Sequence, residues 1–202
     1  MQSPHPHDMI IITRYNKLIK GASFMKIPVY YVSIEGNTKH FLTKMSQIFH
    51  NVDLHQVDNQ TDLFKINHPY FVFVPAYATY EDHQKKCVEL PQTFPMTEEL
   101  AWQKNYKYCL GSVGSGNRNF SQDQWIWTAK LYRKMFNIPI IASYELRGNM
   151  YEENVINQRM VRIWNQNTKP NQHVKEVNVH HVNPRLAKLE KKYGRNLQGE
   201  RM

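Results

Sequence analysis

The chain of 202 residues contains only two cysteines, and no apolar run approaches the roughly 20 residues needed to span a bilayer. Cys87 and Cys109 are not spaced as a CxxC pair and build no disulfide framework, so two unpaired thiols in a reducing cytoplasm are expected. A secretory pattern is missing too: Met9 to Ile12 is too short for an apolar signal core, and no small-residue cleavage site follows. There are no internal repeats and no low-complexity segments. What is present, 41% hydrophobic and 12% aromatic residues, suffices to bury the core of one domain.

The net charge of +9 is unevenly spread. Lys26 to Gln166 holds 15 Lys and Arg against 13 Asp and Glu, whereas Asn167 to Met202 holds 8 against 3. The first 25 residues add 3 against 1. A nearly neutral body over 26–166 is therefore expected between an N-terminal extension, 1–25, and a basic, largely flexible tail, 167–202. Met25 directly precedes the first convincing strand and is a candidate initiator. Charged tails are usually solvated and only sometimes grip nucleic acid or an acidic partner.

Within the body the pattern alternates. Ile27 to Val32 reads as a strand, and Thr38 to Phe49 as a helix with Phe41, Leu42, Met45, Ile48 and Phe49 at helical spacing. Val52 to Val57 is a short strand. Tyr70 to Val74 is wholly apolar, as a strand covered on both faces of a parallel sheet must be, and Pro75 ends it. Residues 76 to 105 carry a possible helix near Glu98 to Lys104. Tyr106 to Val113 is strand-like, Gln122 to Phe136 helical, Ile138 to Tyr144 a fifth strand and Glu152 to Trp164 a last helix. Five strands alternating with helices call for a parallel α/β sheet with helices on both faces. A short helix across Pro184 to Tyr193 is also expected.

Ligands of such sheets bind at the carboxyl ends of the strands, where strand order reverses. Three loops leave those ends with unusual composition. The first, Ser33 to Thr38, offers a helix start, Gly36, and the neutral donors Ser33, Asn37 and Thr38. No lysine follows Gly36, which excludes the nucleotide-triphosphate loop and suits a monophosphate ester. An ordinary helix start capped by Asn37 or Thr38 fits the same residues. The second loop, Pro75 to Tyr80, is small and aromatic; Tyr77 could stack on a flat ring for about 1 kcal/mol beyond area burial, or simply pack with Tyr80. The third, Gly114-Ser115-Gly116-Asn117-Arg118-Asn119-Phe120, fails as a dinucleotide fingerprint because Asn119 stands at its sixth position and it follows the fourth strand. Its peptide groups could meet a ligand edge, with Arg118 near an anionic state of that ligand or paired with an acidic neighbour; a tight turn explains it equally. Glu145 to Gly148 reads as an ion-paired strand end plus a glycine turn.

Taken in order, these loops resemble those of the NrdI family, flavodoxin-like FMN proteins that assist class Ib ribonucleotide reductase. The resemblance covers about Ile27 to Trp164, and GSGNRNF (114–120) and ELRG (145–148) are its most specific segments. It implies a flavodoxin-like five-stranded parallel sheet and FMN as cofactor. Carried over, it places Ser33, Glu35 through its backbone, Gly36, Asn37 and Thr38 on the phosphate. Pro75, Ala76, Tyr77 and Ala78, with Gly114, Ser115, Gly116, Asn117, Arg118, Asn119 and Phe120, would flank the isoalloxazine. In the family the reduced flavin reacts with dioxygen, and the oxidant passes to the dimanganese centre of the reductase small subunit, where a tyrosyl radical forms. The implied partners are that subunit, which owns any manganese, and a flavin-reducing protein. Three features depart from the family pattern: Glu35 stands where a small hydroxyl residue is common, Ala78-Thr79-Tyr80 does not reproduce a glycine-rich stretch that some members have, and the basic tail and the His-containing N-terminus lie outside the pattern, so nothing transfers to them.

Two other readings compete. A general flavodoxin-type electron carrier shares everything except GSGNRNF and ELRG. A nucleic-acid module working through the basic tail is disfavoured because the body shows no basic face and no nucleic-acid motif. No catalytic side chain and no metal site are expected in this chain; His5, His7, His180 and His181 have no Cys or carboxylate cluster beside them.

Overall fold

A computed structural model of the chain describes residues 25–81 and 87–176. Five strands form one parallel sheet: β1 (Ile27–Tyr31), β2 (Val52–Gln56), β3 (Tyr70–Pro75), β6 (Cys109–Gly116) and β7 (Ile140–Glu145). Their spatial order is β2-β1-β3-β6-β7. From β1 the chain steps outward to β2, then returns past β1 to build β3, β6 and β7 on the other side. The order reverses between β1 and β3, so the crevice of a flavodoxin-like doubly wound sheet opens at their carboxyl ends.

Strand alternation divides the core in two. Val29, Tyr31, Phe71 and Phe73 face α1 (Asn37–Phe49) and α4 (Met150–Asn167). Tyr30, Val32, Tyr70, Val72 and Val74 face α2 (Phe94–Ala101) and α3 (Trp127–Phe136). Every residue of β3 is buried, as its unbroken apolar run requires.

Several boundaries differ from the sequence reading. The fourth sheet strand begins at Cys109 rather than Tyr106 and continues to Gly116, so Gly114, Ser115 and Gly116 belong to the strand and not to the loop after it. Trp102–Tyr108 forms 3₁₀ turns in which Gln103 and Lys104 are left-handed. Asn105 causes this: fully buried, its Nδ2 donates to Phe64 O, Glu99 O and Glu99 Oε1, and its Oδ1 accepts from Ile66 N–H. These bonds pin the segment to residues 64–66 and to the end of α2, ahead of the strand.

The helix expected near Glu98 to Lys104 is shifted toward the N-terminus and ends at Ala101. The helix expected from Gln122 starts only at Trp127, because Ile126 takes φ 48°. That kink lays Ile126 against Gly114, where an added Cβ would stand 2.7 Å from Ile126 Cβ. A hairpin of β4 (Ala78–Tyr80) and β5 (Cys87–Glu89) was not anticipated.

The body also extends past Gln166. Trp164 Nε1–H donates to Gln172 O, and Asn165 exchanges two hydrogen bonds with the backbone of Val174, which is buried. Residues 1–24 and 177–202 lie outside the described residues, and with them the helix expected across Pro184 to Tyr193.

Asn149 starts α4 with a capping box: its Oδ1 accepts from Tyr151 and Glu152 N–H, and Glu152 Oε2 accepts from Asn149 N–H. The next residue, Glu153, is 2% exposed. Burial outweighs the nearby Lys44 and raises its carboxyl from an ordinary 4.5 to about 7. The folded state thus holds the proton more tightly than the unfolded chain, and ionisation works against folding. Stability in urea titrations should fall as pH rises from about 4.5 to about 7. Glu153→Gln should flatten that fall; an unchanged slope would contradict the assignment.

Candidate functional site

β1 delivers the chain into the first loop. Gly36, at φ 79°, is the N-cap of α1 and provides no side-chain cap. The helix starts with His40 N–H donating to Gly36 O, while Lys39 N–H donates to Ser33 Oγ at 3.0 Å. Capping by Asn37 or Thr38 is therefore not what the residues do. Asn37 turns its Oδ1 to Arg147 Nε–H instead, and Thr38 Oγ1 is buried without a hydrogen bond. Among the described residues no acceptor serves the amides of Asn37 and Thr38, the donors that a helix start leaves free.

The second loop is tied to its neighbours through peptide groups. Ala76 N–H donates to Ser115 O at 2.6 Å, and Leu90 N–H donates to Tyr77 O. Gln124 Nε2 donates to Ala78 O, and Tyr80 Oη meets Ser121 Oγ at 2.7 Å. Burial, and then the adjacent Glu35 carboxylate, push the Tyr77 phenol up to about 12, so it stays protonated.

The third loop is braced from the fifth sheet strand. Glu145 Oε1 accepts from Arg118 N–H, and Leu146 N–H donates to Gly116 O. Asn117 Oδ1 accepts from Asn119 N–H, closing an Asx turn. The Arg118 guanidinium lies 4.4 Å from the centre of the Trp125 ring.

Glu145 to Gly148 therefore ties the third loop to the first. Glu145 and Leu146 hold the third loop, and Arg147 reaches the first. Gly148 takes φ 60°, and an added Cβ would come within 2.5 Å of Phe41 Cδ2. Phe41 is itself stacked on Tyr144 at a ring separation of 3.9 Å, so it has nowhere to retreat. Burial keeps the Tyr144 phenol protonated, with the Ser115 and Thr38 hydroxyls near but outside ordinary hydrogen-bond geometry.

Between the loops lies a cavity of about 350 Å³, within the range of small-molecule sites. Ser33, Glu35, Asn37 and Thr38 line one end. Pro75, Ala76, Tyr77 and Ala78, and Ser115, Gly116, Asn117 and Phe120, form the walls. Four expected residues stand off that surface. Gly36 turns the chain behind it, Gly114 packs on Ile126, Arg118 lies on Trp125, and Asn119 closes the Asx turn. Ile34, Leu90, Gln124 and Leu146 line it without having been anticipated. Ile34 follows Ser33 directly and could have been included. Leu90 and Gln124 enter only through the hairpin and the turn before α3, which no periodicity announced.

Glu35 is the sole charged lining residue among those described. Among the described residues no group of three His, Cys, Asp or Glu is arranged to hold a metal, and no helix is long and apolar enough to cross a membrane. His5, His7, His180 and His181 lie outside the described residues.

The doubly wound sheet with a crevice at its switch point defines a flavodoxin-like protein. The family described as NrdI Flavodoxin like matches residues 29–158, and the chain belongs to that family. An NrdI-like protein of Streptococcus pneumoniae is 33% identical over 134 residues, spanning 60% of this chain and 84% of its own length. Protein NrdI of Bartonella bacilliformis is 29% identical over 142 residues, covering 70% of this chain and all of its own, 100%. A short-chain flavodoxin associated with a bacterial microcompartment superposes with a TM-score of 0.45 at 15% identity, covering 67% of this chain and 94% of that one.

Gly148→Ala should destabilise the protein by roughly 2 kcal/mol or more, since it combines a forbidden contact with a left-handed backbone. Urea unfolding measures this directly. A loss below about 0.5 kcal/mol, the range of neutral surface changes, would show that Phe41 yields.

Proposed function

We propose that this chain binds FMN in the cavity and is the flavoprotein partner of a class Ib ribonucleotide reductase. The observation that carries the reading is the pairing of uncommitted amides at one end of the cavity with uncharged walls that carry Tyr77 and Phe120. The Asn37 and Thr38 amides have no acceptor among the described residues and belong to the end of the cavity where a phosphate would be received, while the Thr38 hydroxyl, sealed from solvent near the Tyr144 phenol, makes no ordinary hydrogen bond. A polar group buried without a partner costs about 1–3 kcal/mol, so a fold that keeps one at a cavity wall is suited to a ligand that satisfies it. Family membership supports a flavin in the same place.

The residues fit that group. Tyr77, neutral at all physiological pH, offers a ring face rather than a charge to the isoalloxazine. Ser115, Gly116 and Asn117 put uncharged residues on the wall that would meet the ring's polar edge. Ile34, Phe120 and Leu146 are apolar yet 39%, 62% and 47% exposed, and form a rim against which a partner could exclude water.

When bound, the reduced flavin would react with dioxygen to supply the oxidant for the dimanganese-tyrosyl radical cofactor of the reductase small subunit; the protein sets binding, potential and access. With Glu35 as the single lining charge among the described residues, the pocket penalises an anionic reduced flavin far less than an acidic surround would.

Purified without added cofactor, the protein should show a flavin absorbance spectrum and release flavin and phosphate in equal amounts. A colourless protein that also refuses added FMN would remove the proposal. Complex formation with a class Ib small subunit, and not with unrelated electron acceptors, separates it from a general carrier.

Thr38→Val keeps the shape and deletes the unpaired hydroxyl. It should weaken FMN binding about ten-fold while leaving the ligand-free protein as stable or slightly more stable. Titration and urea unfolding read the two effects separately; equal FMN affinity would show that the hydroxyl takes no part.

A further inference from the structure

Arg147 stands outside the cavity wall, yet its Nε–H donates to Asn37 Oδ1 at 3.1 Å. Asn37 is the first residue of α1 and does line the cavity. An amide side chain has one acceptor oxygen and an NH₂ with two donor hydrogens, whereas guanidinium only donates. Arg147 therefore takes the oxygen and leaves the Nδ2 donors as the free end of the amide. In the opposite orientation the oxygen would face the ligand, and its lone pairs would repel an anion. The contact spans two segments far apart in sequence, the first loop and the turn after β7. No carboxylate forms an ion pair with Arg147 among the described residues. Its charge is also felt along the first turn of the helix, where His40 is lowered by burial, then by Lys44 and by Arg147.

We infer that Arg147 is a positioning residue: it turns the Asn37 amide so that its donors meet a phosphate monoester, and so makes the cavity select a phosphorylated ligand over its unphosphorylated form. The inference rests on the FMN reading, to which it adds the source of discrimination. It also gives the Glu145 to Gly148 turn a role in the ligand site beyond bracing it. The Asn37 and Thr38 amides, which no acceptor serves among the described residues, lie at this same end of the cavity and also call for one.

The test compares FMN and riboflavin affinities of the full chain after flavin removal. Arg147→Met should weaken FMN about ten-fold, the worth of a charge-assisted hydrogen bond, with riboflavin affinity unchanged. Arg147→Lys, which keeps a donor and a charge, should recover most of the loss. Because Arg147 acts through Asn37, adding Arg147→Met to Asn37→Ala should cost little more than Asn37→Ala alone. Without any flavin, the His40 titration followed by NMR should move upward in Arg147→Met, since a nearby positive charge is gone.

Equal loss of FMN and riboflavin, simple additivity with Asn37→Ala, or an Arg147→Met protein that binds FMN like wild type would each overturn the inference and leave the FMN reading standing. Refusal of FMN by the wild-type protein would overturn both.

Discussion

Tyr70 to Val74 send their side chains alternately into two cores, one under α1 and α4, the other under α2 and α3. A strand buried on both faces must be apolar throughout, and its hydrogen bonds must all be made sideways to parallel neighbours. Once β3 is fixed there, β1 and β6 have to flank it. Their loops then emerge together at one edge of the sheet. The cavity is a consequence of this burial: the strand ends are held rigidly, and helices on both faces prevent the loops from collapsing onto the sheet.

What shapes the cavity is a set of bonds between loops, made largely by peptide groups. Ala76 holds Ser115, Leu146 holds Gly116, Glu145 holds the Arg118 amide and Arg147 holds Asn37. The two charged braces, Glu145 and Arg147, stand off the lining, which leaves Glu35 as its one charged residue among those described. The bonds between loops also separate two jobs within GSGNRNF. Gly114 and Arg118 serve packing, against Ile126 and Trp125, while Ser115, Gly116, Asn117 and Phe120 face the opening.

The parallel sheet, its five strands and the three loops at their ends were legible in the sequence because they follow from hydrophobic period and from chain order. The elements that were missed obey long-range demands. Asn105 bends residues before β6 out of strand geometry by bonding Phe64, Ile66 and Glu99, contacts that no local window contains. Ile126 shares the helical spacing of its neighbours but adopts φ 48° to reach Gly114 on β6. The hairpin of β4 and β5 is short and half exposed, so it carries no strong alternation. At the cavity, residue identities in the loops were readable, but their division into walls and braces was not. That division depends on which side of the chain meets its neighbour.

The strap after α4 fixes where Gln172 and Val174 lie on the body. The helix begins beside the cavity, at the end of β7, and its 18 residues carry the backbone on the order of 27 Å toward the opposite pole. Gln172 and Val174 are fastened there to Trp164 and Asn165. A fluorophore or fusion joined after Glu176 would thus be anchored at the far end from the opening, leaving the apolar rim free for an incoming surface.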